Sequence, residues 1–345
     1  MKQLLALLPF TLALAACGSN HAGNSSAPTG GAQVTGAGST FVYPVLAAWA
    51  ADYRKQSGAS INYQSIGSGA GISQAKAGTV DFGATDQPLA SDELAKSKLG
   101  QFPIVIGGIV AVVNVPGLSA GQLKLTGPLL ADIYAGKVKT WSDPLIAKLN
   151  PGLNLPSANI AVVHRSDGSG TTFNFTHYLS QVNPTWKSGP GEGKTVAWPS
   201  GVGGKGNEGV AGYVKQIPNS IGYVEYAYVV QSRMAYAQLQ NAAGNFVAPS
   251  AATFSNAAET ADWTNAKDFN LVMTNAPGAN AYPITATTFI LMPTQPKDKA
   301  KADAAIAFFK YALEHGQDQA NKLDYVPLPA ALVQQIETYI GARIK

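Results

Sequence analysis

Residues 165–175 read RSDGSGTTFNF: an arginine and an aspartate two apart, then glycines, hydroxyls and aromatics. A turn that only bends the chain needs the glycines and nothing more. A cation, an anion and four hydroxyl side chains on one turn point to a ligand that is itself charged and rich in oxygen. Arg165 can meet an oxyanion with two parallel hydrogen bonds and stays charged at any working pH. Asp167 can hold that guanidinium in orientation, or serve as an ordinary cap of the following helix.

Three related turns accompany it: TGAGSTF (35–41), IGSGAGISQAKAG (66–78) and GVGGKGNEGVAGYVKQ (201–216). Each sets small residues before a helical stretch. The first N–H groups of a helix have no partner inside it and carry partial positive charge, which favours anions by roughly 0.3–2 kcal/mol. One such turn is only a helix cap. Several of them, together with Arg165, point to a shared anion site.

Competing anion chemistries fail on spacing. GxxxxGK[ST] is absent, because the lysine of GGKGNEG lacks a following Ser or Thr. GxSxG, the usual nucleophile elbow, is also absent. The four histidines, His21, His164, His177 and His315, show no metal-ligand spacing, and no cofactor is implied. His164 adjoins Arg165, but neighbours on a strand point to opposite faces.

The elements that must position these turns alternate between strand and helix patterns. Strands are expected at 60–67, 79–86, 103–114, 159–166, 221–230 and 283–292, and helices at 41–56 and 303–316. That alternation implies an α/β fold with a largely parallel sheet. PIVIGGIVAVVN (103–114) carries Gly107 and Gly108 in mid-strand, where glycine marks a bulge, a bend or a close backbone approach. Either the pair is a local bulge, or 103–114 and 283–292 are two long strands that cross between lobes as a hinge. Two crossings would place 34–108 and 286–345 in one lobe and 109–285 in the other.

The ends and the composition bound the setting. An apolar run from Leu4 to Ala16 follows one lysine, too short to span a bilayer and laid out like a secretory signal. It stops at Leu14-Ala15-Ala16-Cys17, and Cys17 is the single cysteine, as in a bacterial lipobox whose cysteine is acylated. Residues 18–33 are rich in Gly, Ser, Asn and Ala and read as a tether reaching roughly 20–25 Å. With 13% charged residues, net charge +4 and no Lys/Arg clusters, nucleic acid is a poor partner. One cysteine allows no internal disulfide, so the fold rests on core burial.

TGAGSTF, YQSIGSGAG, VDFGATDQPL, RSDGSGTTF, GGKGNEGV, IGYVEYAY and ITATTFIL occur in an order and spacing that resembles the periplasmic phosphate-binding subunit of bacterial phosphate ABC importers. The likeness runs from about Val34 nearly to the C-terminus. It implies a two-lobed, Venus-flytrap fold with two hinge-crossing strands and a ligand buried between lobes. It also implies a monomer that binds inorganic phosphate without catalysis and delivers it to a permease driven by an ATPase. Carried over position by position, phosphate would be held by Thr40, Phe41, Ser68 and Asp86 from the first lobe. Arg165, Ser169, Gly170 and Thr171 would serve from the second, with Asp167 orienting Arg165. The lipobox departs from freely soluble members and suggests an exported protein anchored through Cys17, in the periplasm or on the outer face of the membrane.

A carboxylate facing an anion makes sense only if the ligand carries a proton for Asp86 to accept. Sulfate has none at neutral pH. Sites built around one specific hydrogen bond reject an analogue lacking it by about 10⁴–10⁵, so Asp86 is the expected phosphate-over-sulfate filter. A secreted phosphatase using the same cradle, or the same fold tuned to another oxyanion such as sulfate, is the alternative.

Overall fold

The computed structural model describes residues 32–345; the apolar leader, Cys17 and the tether up to residue 31 lie outside the described residues. The strands are β1 (Gln33–Gly38), β2 (Ser60–Ser65), β3 (Phe82–Thr85), β4 (Leu99–Asn114), β5 (Leu123–Leu125), β6 (Ala161–Arg165), β7 (Val202–Gly204), β8 (Ser220–Glu225), β9 (Ala235–Gln240), β10 (Phe246–Val247) and β11 (Thr285–Pro293). The main path of the sheet runs β2-β1-β3-β11-β4-β8-β6-β7, with β9 pairing β4, β5 and β10 beside it.

β4 joins two half-sheets. Its first part, Leu99–Gly108, pairs antiparallel with β11, and its last part, Ile109–Asn114, pairs antiparallel with β8. Its sixteen residues are buried except Asn114, which explains a nearly continuous apolar run rather than alternation. The chain returns beside the switch point. The Ile109 N–H donates to the Ile284 carbonyl at 2.8 Å, and Thr285 then enters β11 opposite Gly108.

Register is unbroken across Gly107 and Gly108, so the pair is not a bulge. A Cβ on Gly107 would lie 2.9 Å from the Phe41 ring, and one on Gly108 would enter the Phe254 ring. These glycines let aromatic side chains pack flat on the strand backbone. The irregularity falls at Ile104, which is skipped between the Thr288–Val105 and Phe289–Pro103 pairs. Pro103 has no N–H to give the ladder, which favours a break there.

The sheet is mixed, not largely parallel: five pairings are parallel and five antiparallel. Both strands at the junction, β4 and β11, run against their neighbours. Antiparallel pairs need no crossover helix, so strand–helix alternation alone could not reveal them. Other local expectations shift too. Thr35–Gly38 is strand rather than turn, and Gln33, expected in the tether, already belongs to β1. Only 221–225 of the expected strand 221–230 is extended, within β8; Tyr226–Ser232 is a helix capped by the Glu225 carboxylate.

The anion-type turns sit at the carboxyl ends of β1, β2, β6 and β7, and Asp86 follows β3, at the ends of strands where open sheets of parallel strands and helices leave a crevice. The helices Tyr43–Ser57, Ser68–Ala77, Gly170–Val182 and Gly206–Gln216 all begin beside it. A stretch around Asp268 packs back on the first half-sheet. The Asp268 carbonyl accepts from Gln101 Nε2 at 2.8 Å, and the Phe269 ring lies 5.2 Å from Tyr339.

Candidate functional site

Strand β6 ends at Arg165, which is 4% exposed. Its Nε donates to Asp167 Oδ1 at 2.8 Å and its Nη2 to Asp167 Oδ2 at 2.5 Å, a two-pronged pair. Nη1 reaches Thr171 Oγ1 at 3.3 Å. Asp167 also accepts the Gly206 N–H at 3.0 Å, so it orients the guanidinium and ties down a second glycine turn. Burial pushes the Asp167 carboxyl up, but the hydrogen bonds and charge of Arg165 outweigh it and hold it below the usual carboxylate range.

Ser169 caps the helix Gly170–Val182, accepting from Thr172 N–H at 3.0 Å. The N–H groups of Gly170 and Thr171 precede the first internal hydrogen bonds of that helix and are free to face an anion.

The opposite wall comes from the first half-sheet. Thr40, Phe41, Ser68 and Asp86 are each at most 2% exposed. Asp86 follows β3, and Ser68 opens its own helix. The Asp86 N–H donates to Ser68 Oγ at 3.3 Å. The two walls touch. A Cβ placed on Gly170 would be 2.6 Å from both Asp86 Oδ2 and Ser68 Oγ. Gly69 N–H donates to the Gly168 carbonyl at 2.8 Å, and Asn174 Nδ2 to the Asp86 carbonyl at 2.6 Å. All nine residues expected in the ligand site therefore converge on one place. Cys17 lies outside the described residues.

The structure adds groups that sequence reasoning missed. Asn207 Nδ2 donates to Thr40 Oγ1 at 2.7 Å and to Thr171 Oγ1 at 3.3 Å, linking the walls. Tyr228 Oη donates to the Thr40 carbonyl at 2.6 Å. Ser39 Oγ lies 2.6 and 2.7 Å from the two Asp86 oxygens and accepts the Phe41 N–H at 3.0 Å. The Phe41 N–H, expected to face the ligand, thus has a partner within its own turn. Thr288 of β11 donates to Asp86 Oδ1 at 2.7 Å. Asn207 stands inside the GGKGNEG turn and Thr288 inside ITATTFIL, so their motifs were visible although their roles were not. His164 stacks on Trp198 at 4.9 Å with its Nδ1 3.0 Å from the Arg165 carbonyl, which makes it a packing residue.

The electrostatics of the two walls differ. Burial lifts the Asp86 carboxyl to about 6, partly opposed by the hydroxyls of Ser39 and Thr288 and the charge of Arg165. Burial also raises Glu225 well above its ordinary value, and it raises Tyr223, beneath Arg165, to about 12. No cluster of metal-ligating side chains occurs among the described residues.

A cleft between two half-sheets, walled by helix starts, a fixed guanidinium and a hydroxyl-held carboxylate, defines a two-lobed binding protein of α/β class. A model of the PBP superfamily domain matches residues 23–315. The phosphate-binding protein PstS of Xylella fastidiosa (strain Temecula1) is 59% identical over 321 residues, 93% of this chain and 88% of that one. PstS of Pasteurella multocida is 53% identical over 312 residues, 90% and 91% of the two chains. The chain belongs to this PstS family of the PBP superfamily. Solved structures share the fold. A phosphate-binding protein from Stenotrophomonas maltophilia has a TM-score of 0.65 at 19% identity, covering 89% of this chain and 93% of that one. An ABC-type phosphate transport receptor from Vibrio cholerae has a TM-score of 0.56 at 23% identity, covering 86% and 100%.

Proposed function

We propose that this chain is an extracytoplasmic receptor for inorganic phosphate that closes around its ligand and delivers it to an ABC permease and its ATPase, without catalysis. The observation that carries this reading is the Asp86 carboxylate, 2% exposed and facing the Arg165–Thr171 cradle. A buried acceptor beside a cationic anion cradle suits an oxyanion that brings its own proton. Arg165 and the N–H groups of Gly170 and Thr171 would hold phosphate oxygens, joined by the hydroxyls of Ser169 and Thr171. Thr40, Phe41 and Ser68 would close the other side, and Asp86 would accept the ligand's proton.

The lobes would be 34–108 with 286–345, and 109–285, turning about the Gly108–Ile109 switch of β4 and the return at Ile284–Thr285. Direct bonds between walls, such as Asn207 to Thr40 and Gly69 to Gly168, support a closed arrangement. Anchoring through Cys17 would keep the receptor near its permease, and no described helix is long and apolar enough to cross a membrane.

Calorimetric titration of protein stripped of endogenous ligand tests this, with phosphate and then sulfate. One-to-one phosphate binding without sulfate heat is expected. Silence toward phosphate refutes the reading.

A further inference from the structure

Asp86 is held by hydroxyls from three separate elements, and their arrangement is asymmetric. Thr288 on β11 donates to Oδ1 at 2.7 Å. Ser39, at the end of β1, lies 2.6 and 2.7 Å from Oδ1 and Oδ2. Ser68 reaches Oδ2 only at 3.4 Å. The Ser39 oxygen already accepts the Phe41 N–H at 3.0 Å, so its single hydrogen is turned to the carboxylate. Oδ1 accepts the Thr288 hydrogen and shares that of Ser39 with Oδ2, whose own second donor is the long contact from Ser68, so Oδ2 keeps the greater lone-pair capacity on the side facing Gly170. A hydroxyl that donates to a carboxylate favours its ionised form.

We propose that Ser39 and Thr288 are specificity-determining positioning residues: they hold Asp86 as a proton acceptor and leave Oδ2 as the oxygen that reads the ligand's proton. The inference deepens the phosphate-receptor reading and rests on it for its ligand. Without these donors, burial would drive Asp86 to take up a proton itself. It would then offer a hydrogen instead of a lone pair, and an unprotonated oxyanion such as sulfate would fit. The other charged or titratable groups facing Asp86 are Arg165 from β6, Glu225 at the end of β8, Tyr63 from β2, and Tyr325. Of these, only Arg165 favours the carboxylate, and it is committed to Asp167 through two of its nitrogens.

Two variants separate this role from simple packing. Ser39→Ala removes one donor together with the acceptor of the Phe41 N–H. Thr288→Val removes the other from a strand interior while conserving shape. In ligand-free protein, the protonation midpoint of Asp86 is read from its carboxyl infrared band, assigned by its loss in Asp86→Asn. Phosphate and sulfate affinities are then measured by calorimetry across pH 5–8.

In each variant the midpoint is expected to rise by about one pH unit or more, the effect of losing one hydrogen bond to a charged acceptor. The phosphate-to-sulfate ratio should fall roughly tenfold across the range, near pH 6.5 through weaker phosphate and tighter sulfate together, and at pH 8 through tighter sulfate while phosphate affinity changes little. An unmoved midpoint in both variants, or an affinity loss equal at every pH and for both anions, overturns the proposal and leaves these residues a packing role. Wild-type protein that ignores phosphate at every pH defeats the receptor reading and the specificity role with it, whereas the ligand-free midpoint still reports whether the two hydroxyls govern the proton on Asp86.

Discussion

Asp86 and Asp167 stand on facing walls of one cleft, and the protein treats them oppositely. Asp167 is paired two-pronged with Arg165, and its carboxyl is held below the usual range. Asp86 has only hydroxyls as direct side-chain donors, and its carboxyl is lifted to about 6. The first carboxylate serves another residue, since it fixes a cation. The second keeps unspent acceptor capacity beside the ligand position. On the proposed reading, charge compensation and proton reading fall to different walls, and the ligand that would satisfy both is an anion carrying a hydrogen.

The sharpest way to break this comparison is Asp86→Asn. An amide can donate as well as accept, so rejection of sulfate should fall from about 10⁴–10⁵ by a factor of about 10³, measured as the ratio of dissociation constants. Sulfate rejection that survives in this variant would remove Asp86 from its role. Arg165→Ala attacks the other wall. Phosphate affinity should drop by about 10²–10³, and the fold should lose about 1–3 kcal/mol in urea unfolding, because half-buried Asp167 loses its charged partner and keeps the Gly206 N–H.

pH separates the two carboxylates by sign. The folded Asp86 value of about 6 lies above its ordinary 3.8, so the folded chain binds more protons in that window. The contribution of Asp86 to ligand-free stability is therefore largest below about 3.8 and declines, by on the order of 3 kcal/mol, as pH rises to 6. Asp86→Asn should accordingly gain in melting temperature over wild type as pH rises from 4 to 7. Asp167, with its value lowered, contributes stability that is present above 3.8 and lost as pH falls through the depressed value. Asp167→Asn should be less stable than wild type at pH 7 and converge with it in acid. The same direction of change relative to wild type with rising pH in both variants would refute the contrast.

Two smaller effects refine it. Gly170→Ala puts a methyl 2.6 Å from Asp86 Oδ2 and Ser68 Oγ, where the walls meet. Phosphate affinity should fall about 10- to 100-fold, since overpacking costs roughly 1–3 kcal/mol. Tyr228→Phe removes one hydrogen bond between walls, to the Thr40 carbonyl, and should weaken binding about threefold to tenfold. Titration calorimetry reads both.

How much of the site was legible follows from chain distance. Arg165, Asp167, Ser169, Gly170 and Thr171 lie within one turn, so residue types and spacing were enough to propose an oxyanion cradle with an oriented arginine. Asp86 looked out of place beside an anion, and that misfit led to the role proposed for it. Thr288 was not legible as its partner, because 202 residues separate them and only the antiparallel seating of β11 beside β3 brings them together. Ser39 lay in a quoted motif but read as a turn residue. Its importance depends on β1 and β3 pairing side by side, which puts the residue after one strand next to the residue after the other.

The sequence by itself determined the strand–helix alternation, the apolar character of β4 and the cluster of residues able to hold an anion, because each is a property of neighbours along the chain. Tertiary structure alone decided the mixed sheet, the aromatic rings seated on Gly107 and Gly108, and the set of donors around Asp86. Those depend on which strands lie side by side and how tightly two walls close, and a carboxyl's proton affinity follows from the burial and donors that packing provides.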